Sequence, residues 1–283
     1  MDKKGLSFLQ FASPWFFNPG TVRLPSPPDG LSTEEASQRL LEGTLEQPYI
    51  LETPSERCLY FSQSSVQSVM RLDDPDALVT AYTRKMMAFL LFNPNPKRIL
   101  MMGLGGGSLA KFCYRKLRQA QITVVEIDAR VIALRDEFHI PCDDERFRIV
   151  HDDAAYYISQ RSDPVDVLLV DAFDPIGVAP TLASSDFYAH AAHRLSQQGV
   201  LVMNFAGATS RFPLHMKQVR AAFGSTLLVP VAADDNLLLF AFRRRIPLPT
   251  TARYESRAQR LQSRLTLEFP RYLRRICQGH VLA

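Results

Sequence analysis

Cysteine is scarce in this 283-residue chain, and its four copies, Cys58, Cys113, Cys142 and Cys277, lie far apart with no C-x-x-C pair. That excludes a disulfide scaffold and a cysteine zinc site, and leaves free thiols as the expected state. Histidine offers no substitute. His139, His151, His190, His193, His215 and His280 show no metal-ligand spacing, so no metal is expected. No apolar run approaches the roughly 20 residues of a membrane helix, and residues 1–17 lack the continuous apolar core of a signal peptide. Net charge is also small, +4 from 33 Lys plus Arg against 29 Asp plus Glu, while 46% of the residues are hydrophobic. A disordered chain would carry less apolar material and more net charge. The expectation is a cytosolic globular protein with one α/β domain and an appendage, and no membrane partner.

The small net charge hides a division. Residues 243–283 hold ten arginines and two acids, a net of +8, which leaves 23 bases and 27 acids in the first 242 residues, a net of −4. Helical spacing of Tyr254, Leu261 and Leu265, then Phe269, Tyr272, Leu273 and Ile276, interrupted at Pro270, makes this tail a basic helical extension over 244–283. Its arginines suit the solvated face of a helix packed on its own domain better than a nucleic-acid contact, and no RNA-binding motif is present.

Residues 1–48 contain six of the 19 prolines and the aromatics Phe8, Phe11, Trp15, Phe16 and Phe17. They read as an irregular arm with little periodic structure apart from one short helix, begun by the Ser32/Glu35 capping box and ended at Gly43. Short β-rich runs at 49–51, 57–62 and 66–72 predict an antiparallel meander, and with a helix over 76–92 they form a small subdomain, 49–92. Asn93-Pro94-Asn95-Pro96 then breaks the chain.

From residue 97 short apolar runs, at 99–102, 122–125, 147–150, 165–170, 199–204, 227–231 and 237–242, alternate with amphipathic segments, except that only 232–236 separates the last two. Continuous Val/Ile/Leu runs are strands buried on both faces. The pattern is a doubly wound parallel sheet over 93–243 that ends in an antiparallel hairpin, the arrangement of the S-adenosylmethionine-dependent methyltransferase-type Rossmann fold with seven strands.

Ligands bind such sheets at the carboxyl ends of the strands. The first run ends in Gly103-Leu104-Gly105-Gly106-Gly107-Ser108, where glycine permits close backbone approach and the next helix offers free N–H groups. The second ends in Glu126, 21 residues beyond Gly105, placed to accept both hydroxyls of a ribose, with Asp128 suited to cap the following helix. The third is followed by Asp152 and Asp153, one of which could accept an adenine amino group while the other caps a helix. The fourth is followed by Asp171-Ala172-Phe173-Asp174-Pro175, two carboxylates on one short loop, which suits a cation such as an amine.

Together these segments resemble the spermidine synthase (polyamine aminopropyltransferase) family. The similarity runs over about residues 49–242, through P-N-P-K-R-I-L-M-M-G-L-G-G-G-S, V-V-E-I-D-A-R-V-I and D-A-F-D-P-I-G. It implies that Glu126 binds the ribose, and Asp152 with Asp153 the adenine, of decarboxylated S-adenosylmethionine as co-substrate. It also implies that Asp171 is the base for an acceptor amine, that Asp174 holds that amine, that Tyr82, near where the family places a catalytic tyrosine, is catalytic, and that the chain forms a homodimer.

Departures fall on the amine side. The family's loop acid, in G-G-G-D-G, corresponds to Gly106, its glutamine after the fifth strand to Asn204, and its tyrosine-bearing loop before the last strand to Ala233-Asp234-Asp235-Asn236. Such features resemble a spermidine-synthase-like group with a G-L-G-G-G loop. An acid at Gly106 would repel the carboxylate of intact S-adenosylmethionine, so three functions stand open: aminopropyl transfer to an amine, methyl transfer from intact S-adenosylmethionine, and nucleoside binding without catalysis, with the basic tail as contact surface.

Overall fold

The computed structural model describes all residues except 1–5, 17, 28–29, 63–64, 161–162, 175–176, 207–211, 232, 234–235, 247–248, 251, 279–280 and 283, and the side chains of 65, 173–174, 177–178, 180 and 281–282. In chain order its elements begin with β1 (Phe8–Ala12), β2 (Thr21–Pro25), α1 (Thr33–Glu42), β3 (Tyr49–Glu52), β4 (Glu56–Ser62), β5 (Ser65–Arg71) and α2 (Ala81–Met86). Next come β6 (Arg98–Met102), α3 (Ser108–Lys116), β7 (Gln121–Glu126), α4 (Ala129–Ala133), β8 (Phe147–His151), α5 (Ala154–Ser159) and β9 (Val165–Val170). Two short strands, β10 (Phe173–Asp174) and β11 (Gly177–Val178), precede α6 (Ser185–Arg194), β12 (Leu195–Ala206), α7 (Phe212–Ala222), β13 (Ser225–Val231) and β14 (Asn236–Phe242). The tail supplies α8 (Ala252–Leu265), α9 (Phe269–Gln278) and β15 (Val281–Leu282).

The chain divides into two compact units. One comprises Met1–Val79, Gly105–Lys111 and Asp128–Pro141; the other comprises Thr80–Leu104, Phe112–Ile127 and Cys142–Ala283. In the first, β1 to β5 form an antiparallel sheet in sequence order. The arm is therefore not irregular: it contributes two of the five strands. Val22 and Leu24 alternate inward in β2 and are fully buried with Tyr49, Leu51 and Tyr60, while Pro14, Pro19 and Pro25 fall at strand ends and turns, where no ladder N–H is needed. The capping box forms as read. Ser32 accepts from the Glu35 N–H, and Gly43 closes α1 in the left-handed region at φ 70°.

In the second unit the large sheet runs β15-β13-β14-β12-β9-β6-β7-β8. The pairs β12/β9, β6/β9, β6/β7 and β7/β8 are parallel, and β14 is antiparallel to both β12 and β13. Seven of the strands are those expected, and the two-residue β15 adds an edge beside β13. Burial on both faces explains the continuous apolar runs. Leu100, Met102, Leu168, Val170, Leu201, Met203, Leu239 and Ala241 pack with Tyr157 and Ile158 of α5, Phe187, Tyr188 and Ala191 of α6, and Met216 and Val219 of α7. Their neighbours Ile99, Met101, Val167, Leu169, Val202, Leu238 and Phe240 are equally buried.

The basic tail folds onto its own unit. Phe92 meets Phe242 and Tyr254 edge-on at 4.8 and 6.1 Å, Arg257 donates to the Leu91 carbonyl, and Phe269, Tyr272, Leu273 and Ile276 are buried. Arg253, Arg260, Arg264, Arg271, Arg274 and Arg275 face solvent. The break between its helices lies at 266–268, ahead of Pro270, with Thr266 at φ 59°. Pro270 begins the second helix, as proline does where no intrahelical N–H is required. Among the described residues no helix is long and apolar enough to cross a membrane, no group of three or more His, Cys, Asp or Glu could hold a metal ion, and all four cysteines are free. Leu168, fully buried in the central strand β9, offers a test of this core. Leu168→Ala should lower unfolding free energy by about 2–5 kcal/mol in a denaturant titration, the range for leucine truncation in a packed interior.

Candidate active site

The sheet's register brings the second unit's predicted site residues level with one another. Met102 pairs with Val125 on one side and Val170 on the other, and Val170 pairs with Met203. The next residues, Gly103, Glu126, Asp171 and Asn204, thus stand in a row at the carboxyl edges of β6, β7, β9 and β12. Strand order reverses at β6, which leads to β7 on one side and borders β9 on the other, so Gly103 and Asp171 flank the switch point. Ladder bonds run one residue past the strands and hold the row: Gly103 N–H donates to Val125 O at 2.9 Å, Asp171 N–H to Met102 O at 2.9 Å, and Asp152 N–H to Glu126 O at 3.1 Å.

Gly103 cannot be another residue. Its φ of 93° is strained for any L side chain, and a Cβ would lie 2.3 Å from the Asp171 carbonyl oxygen and 2.9 Å from the carbonyl carbon. Backbone of the glycine loop and backbone of the β9 turn are in direct contact here. Beside it Leu104 N–H donates at 2.8 Å to Oε2 of Glu126, which is 9% exposed at the end of β7.

Asp152 and Asp153 separate by role. Asp153 is the N-cap of α5, accepting from Tyr156 N–H at 2.8 Å, and its own N–H donates to Asp152 Oδ1 at 2.9 Å. Among the described residues Asp152 caps no helix. Asp128 caps α4 as expected and pairs with Arg130 at 2.7 Å.

Asp171 is the centre of a polar chain. Its Oδ2 accepts from the Tyr82 hydroxyl at 3.2 Å and its Oδ1 from Asn204 Nδ2 at 2.9 Å; Asn204 Oδ1 in turn accepts from Asn236 Nδ2 at 2.8 Å. Burial, which penalises the charged form, raises the Asp171 carboxyl above its ordinary 3.8, against the opposing pull of the Asn204 and Tyr82 hydrogen bonds. Tyr82, 89 residues distant in sequence, is thus brought to the carboxylate from α2. Asn204, noted in the sequence only as a departure, proves to be the group that reaches it from the other side, and Asn236, noted likewise, stands behind Asn204. Their signal was position: each stands at the carboxyl-edge end of a buried apolar run, where an amide has no packing reason to be. Asp174 lies in β10 by its backbone, and its side chain, like Asp234 and Asp235, is outside the described set.

In the first unit Gly105 and Gly107 take positive φ of 51° and 69°. Gly106 has an ordinary φ, but a Cβ there would lie 2.6 Å from Ser68 Oγ, 2.8 Å from Ser68 Cβ and 3.0 Å from Phe138 Cδ1. No acid fits at Gly106 unless Ser68 and Phe138 move.

A family model described as the spermine/spermidine synthase domain matches residues 60–220. A polyamine aminopropyltransferase of Chromobacterium violaceum is 36% identical over 241 residues, covering 82% of this chain and 92% of that protein. Among solved structures, a probable spermidine synthase from Corynebacterium glutamicum superposes with a TM-score of 0.64 at 18% identity, over 77% of this chain and 85% of the other. Human methyltransferase-like protein 13, solved in complex with SAH, superposes with a TM-score of 0.59 at 21% identity, over 66% and 93%. Their common architecture is the methyltransferase-type Rossmann fold seen in the strand order here. With the family model spanning more than half the chain and the identity extending over most of it, the chain belongs to the spermine/spermidine synthase family.

Proposed function

We propose that the chain transfers an aminopropyl group from decarboxylated S-adenosylmethionine to an amine acceptor, with Asp171 as the base. The observation that carries this reading is a half-buried carboxylate at the switch point with a hydrogen-bond donor on each oxygen. The family relatives named polyamine aminopropyltransferases support the same reaction. Free thiols suit a reducing cytosol, and we assign a homodimer as the working form by analogy with the family.

The chemistry asks for alignment and proton removal. The acceptor nitrogen attacks the carbon next to the donor's sulfonium, the C–S bond breaks with its electrons going to sulfur, and methylthioadenosine leaves as a neutral thioether. An alkylamine has a pKa of about 10 and is almost wholly charged near neutrality, so its proton must go to a base as the N–C bond forms. Burial makes Asp171 a stronger base than an exposed carboxylate. Tyr82 steadies the oxygen it touches. We assign Glu126 to the donor's ribose hydroxyls, Asp152 to its adenine, the glycines 103 and 105–107 to close backbone approach, and Asp174 to the acceptor's second cationic group.

Calorimetric titration with decarboxylated donor, intact S-adenosylmethionine and methylthioadenosine tests the donor, and methylthioadenosine release with 1,4-diaminobutane tests the transfer. Binding of the decarboxylated donor and methylthioadenosine is expected; binding of the intact donor alone would move the assignment to methyl transfer, and binding of none would remove both enzymatic readings.

Asp171→Asn should keep donor binding and lose turnover by at least about a hundredfold, within the range for a general base. The same variant should melt higher than the wild type at neutral pH. Because the folded state holds the Asp171 proton more tightly than the unfolded chain, this group favours folding most in acid and loses that contribution as pH rises through its elevated folded value, so the two melting curves should converge as pH falls to 3.8 and below.

Asp152→Ala should weaken donor binding about tenfold to a hundredfold in the same titration, the size of a hydrogen bond to a charged group. Asp153→Ala should instead cost about 0.5–2 kcal/mol of stability in a denaturant titration, with donor affinity of the folded protein preserved.

A further inference from the structure

Asn204 is 2% exposed, so water cannot replace a partner lost from its amide. That amide has a donor arm and an acceptor arm, and only the donor arm suits a carboxylate, which accepts and never donates when ionised. Which arm faces Asp171 depends on what meets the other one. The group there is Asn236 Nδ2, a donor, 2.8 Å from Asn204 Oδ1. We propose that Asn236 is a positioning residue for the transfer reaction, fixing the Asn204 amide with its nitrogen toward Asp171 and so fixing the orientation of the base. The proposal rests on the reading of Asp171 as that base.

The sheet builds this arrangement. In the antiparallel pair of β12 and β14, Asn204 lies opposite Leu238 and Ala206 opposite Asn236, so Asn204 and Asn236 are diagonal neighbours whose side chains leave the same face. The parallel register of Met203 with Val170 sets Asn204 level with Asp171. Three adjacent strands thus contribute one residue each to a single line of hydrogen bonds, donated in one direction from Asn236 to Asn204 to Asp171. Tyr82 closes the line from the far side by donating to the other carboxylate oxygen. With each end occupied by a donor, the carboxylate has one preferred rotation.

Asn236→Asp is nearly isosteric but replaces the donor with an acceptor. Asn204 should then turn its nitrogen toward position 236 and its oxygen toward Asp171, setting acceptor against acceptor with a second negative charge nearby. With the full-length chain, decarboxylated S-adenosylmethionine and 1,4-diaminobutane, kcat should fall about tenfold to a hundredfold and the acid limb of the kcat/KM profile should move to higher pH, with donor affinity within twofold of wild type. Asn236→Ala should shift both in the same direction by less, and Asn236→Ser, which keeps a donor, should stay nearer the wild type than alanine does.

An independent readout needs no acceptor. The pH dependence of melting temperature, compared with and without Asp171→Asn in each background, reports the Asp171 titration itself, and Asn236→Asp should move it upward. Unchanged kcat and an unchanged Asp171 titration in Asn236→Asp would overturn the proposal, as would equal losses of donor affinity and kcat in Asn236→Ala, since that pattern belongs to a merely structural residue. Retained turnover in Asp171→Asn overturns the base assignment instead, whereas its loss beside a wild-type Asn236→Asp removes only the positioning role.

Discussion

The large sheet presents one half-buried carboxylate, Asp171, at its edge and meets each of its oxygens with a hydrogen-bond donor. Burial favours the protonated form of Asp171, and an unpaired buried charge would cost several kcal/mol. Among the described residues the groups that meet it are neutral donors: a phenol from α2 and an amide from β12. That choice matters chemically. An arginine or lysine beside Asp171 would stabilise the anion so far that it would no longer take a proton from an amine, whereas neutral donors moderate the effect of burial and leave the group basic.

The row of functional residues at the sheet edge follows from register more than from any local motif. Parallel pairing makes Met102, Val125, Val170 and Met203 equivalent positions, so whatever follows them emerges at one level. Apolar residues bury both faces up to that level and polar chemistry begins immediately beyond it. The strands therefore act as rulers whose lengths set the distances between a glycine, a ribose-binding candidate, the proposed base and an amide. The tail contributes differently, by covering the aromatic group around Phe92 with one face while its arginines remain in solvent.

Much of this was legible in the sequence because the relevant signals are local. Seven buried strands announced themselves as short Val/Ile/Leu runs, and Gly103, Glu126, Asp152 and Asp171 stood out by following them directly. The Ser32 cap was legible for the same reason. The N-terminal strands were not, since prolines and aromatics in 1–48 masked the two-residue alternation of Val22 and Leu24 behind a composition typical of loops. Nor was the division of labour between Asp152 and Asp153, which turns on which carboxylate meets the Tyr156 N–H. The amide pair was least legible of all: Asn204 and Asn236 are 32 residues apart, and only the antiparallel register of β12 with β14 makes them neighbours. The Gly106 position shows the reverse case, where a residue known from sequence to lack an acid gains its reason from Ser68 and Phe138.

The close approach of Gly103 to the Asp171 carbonyl also has a bearing on how this family member could evolve or be engineered. Two peptide groups that touch without an intervening side chain have no soft material between them to absorb a displacement. A change that reshapes the loop at Gly103 would shift Asp171 by a similar amount, so on the proposed function donor range and alignment of the base are inherited together. Acceptor preference is free of that linkage on the β14 side, where the Asp171 line ends in a side chain and not in packed backbone. On the proposed function, diversification of substrate is thus cheapest at the amine end of the site.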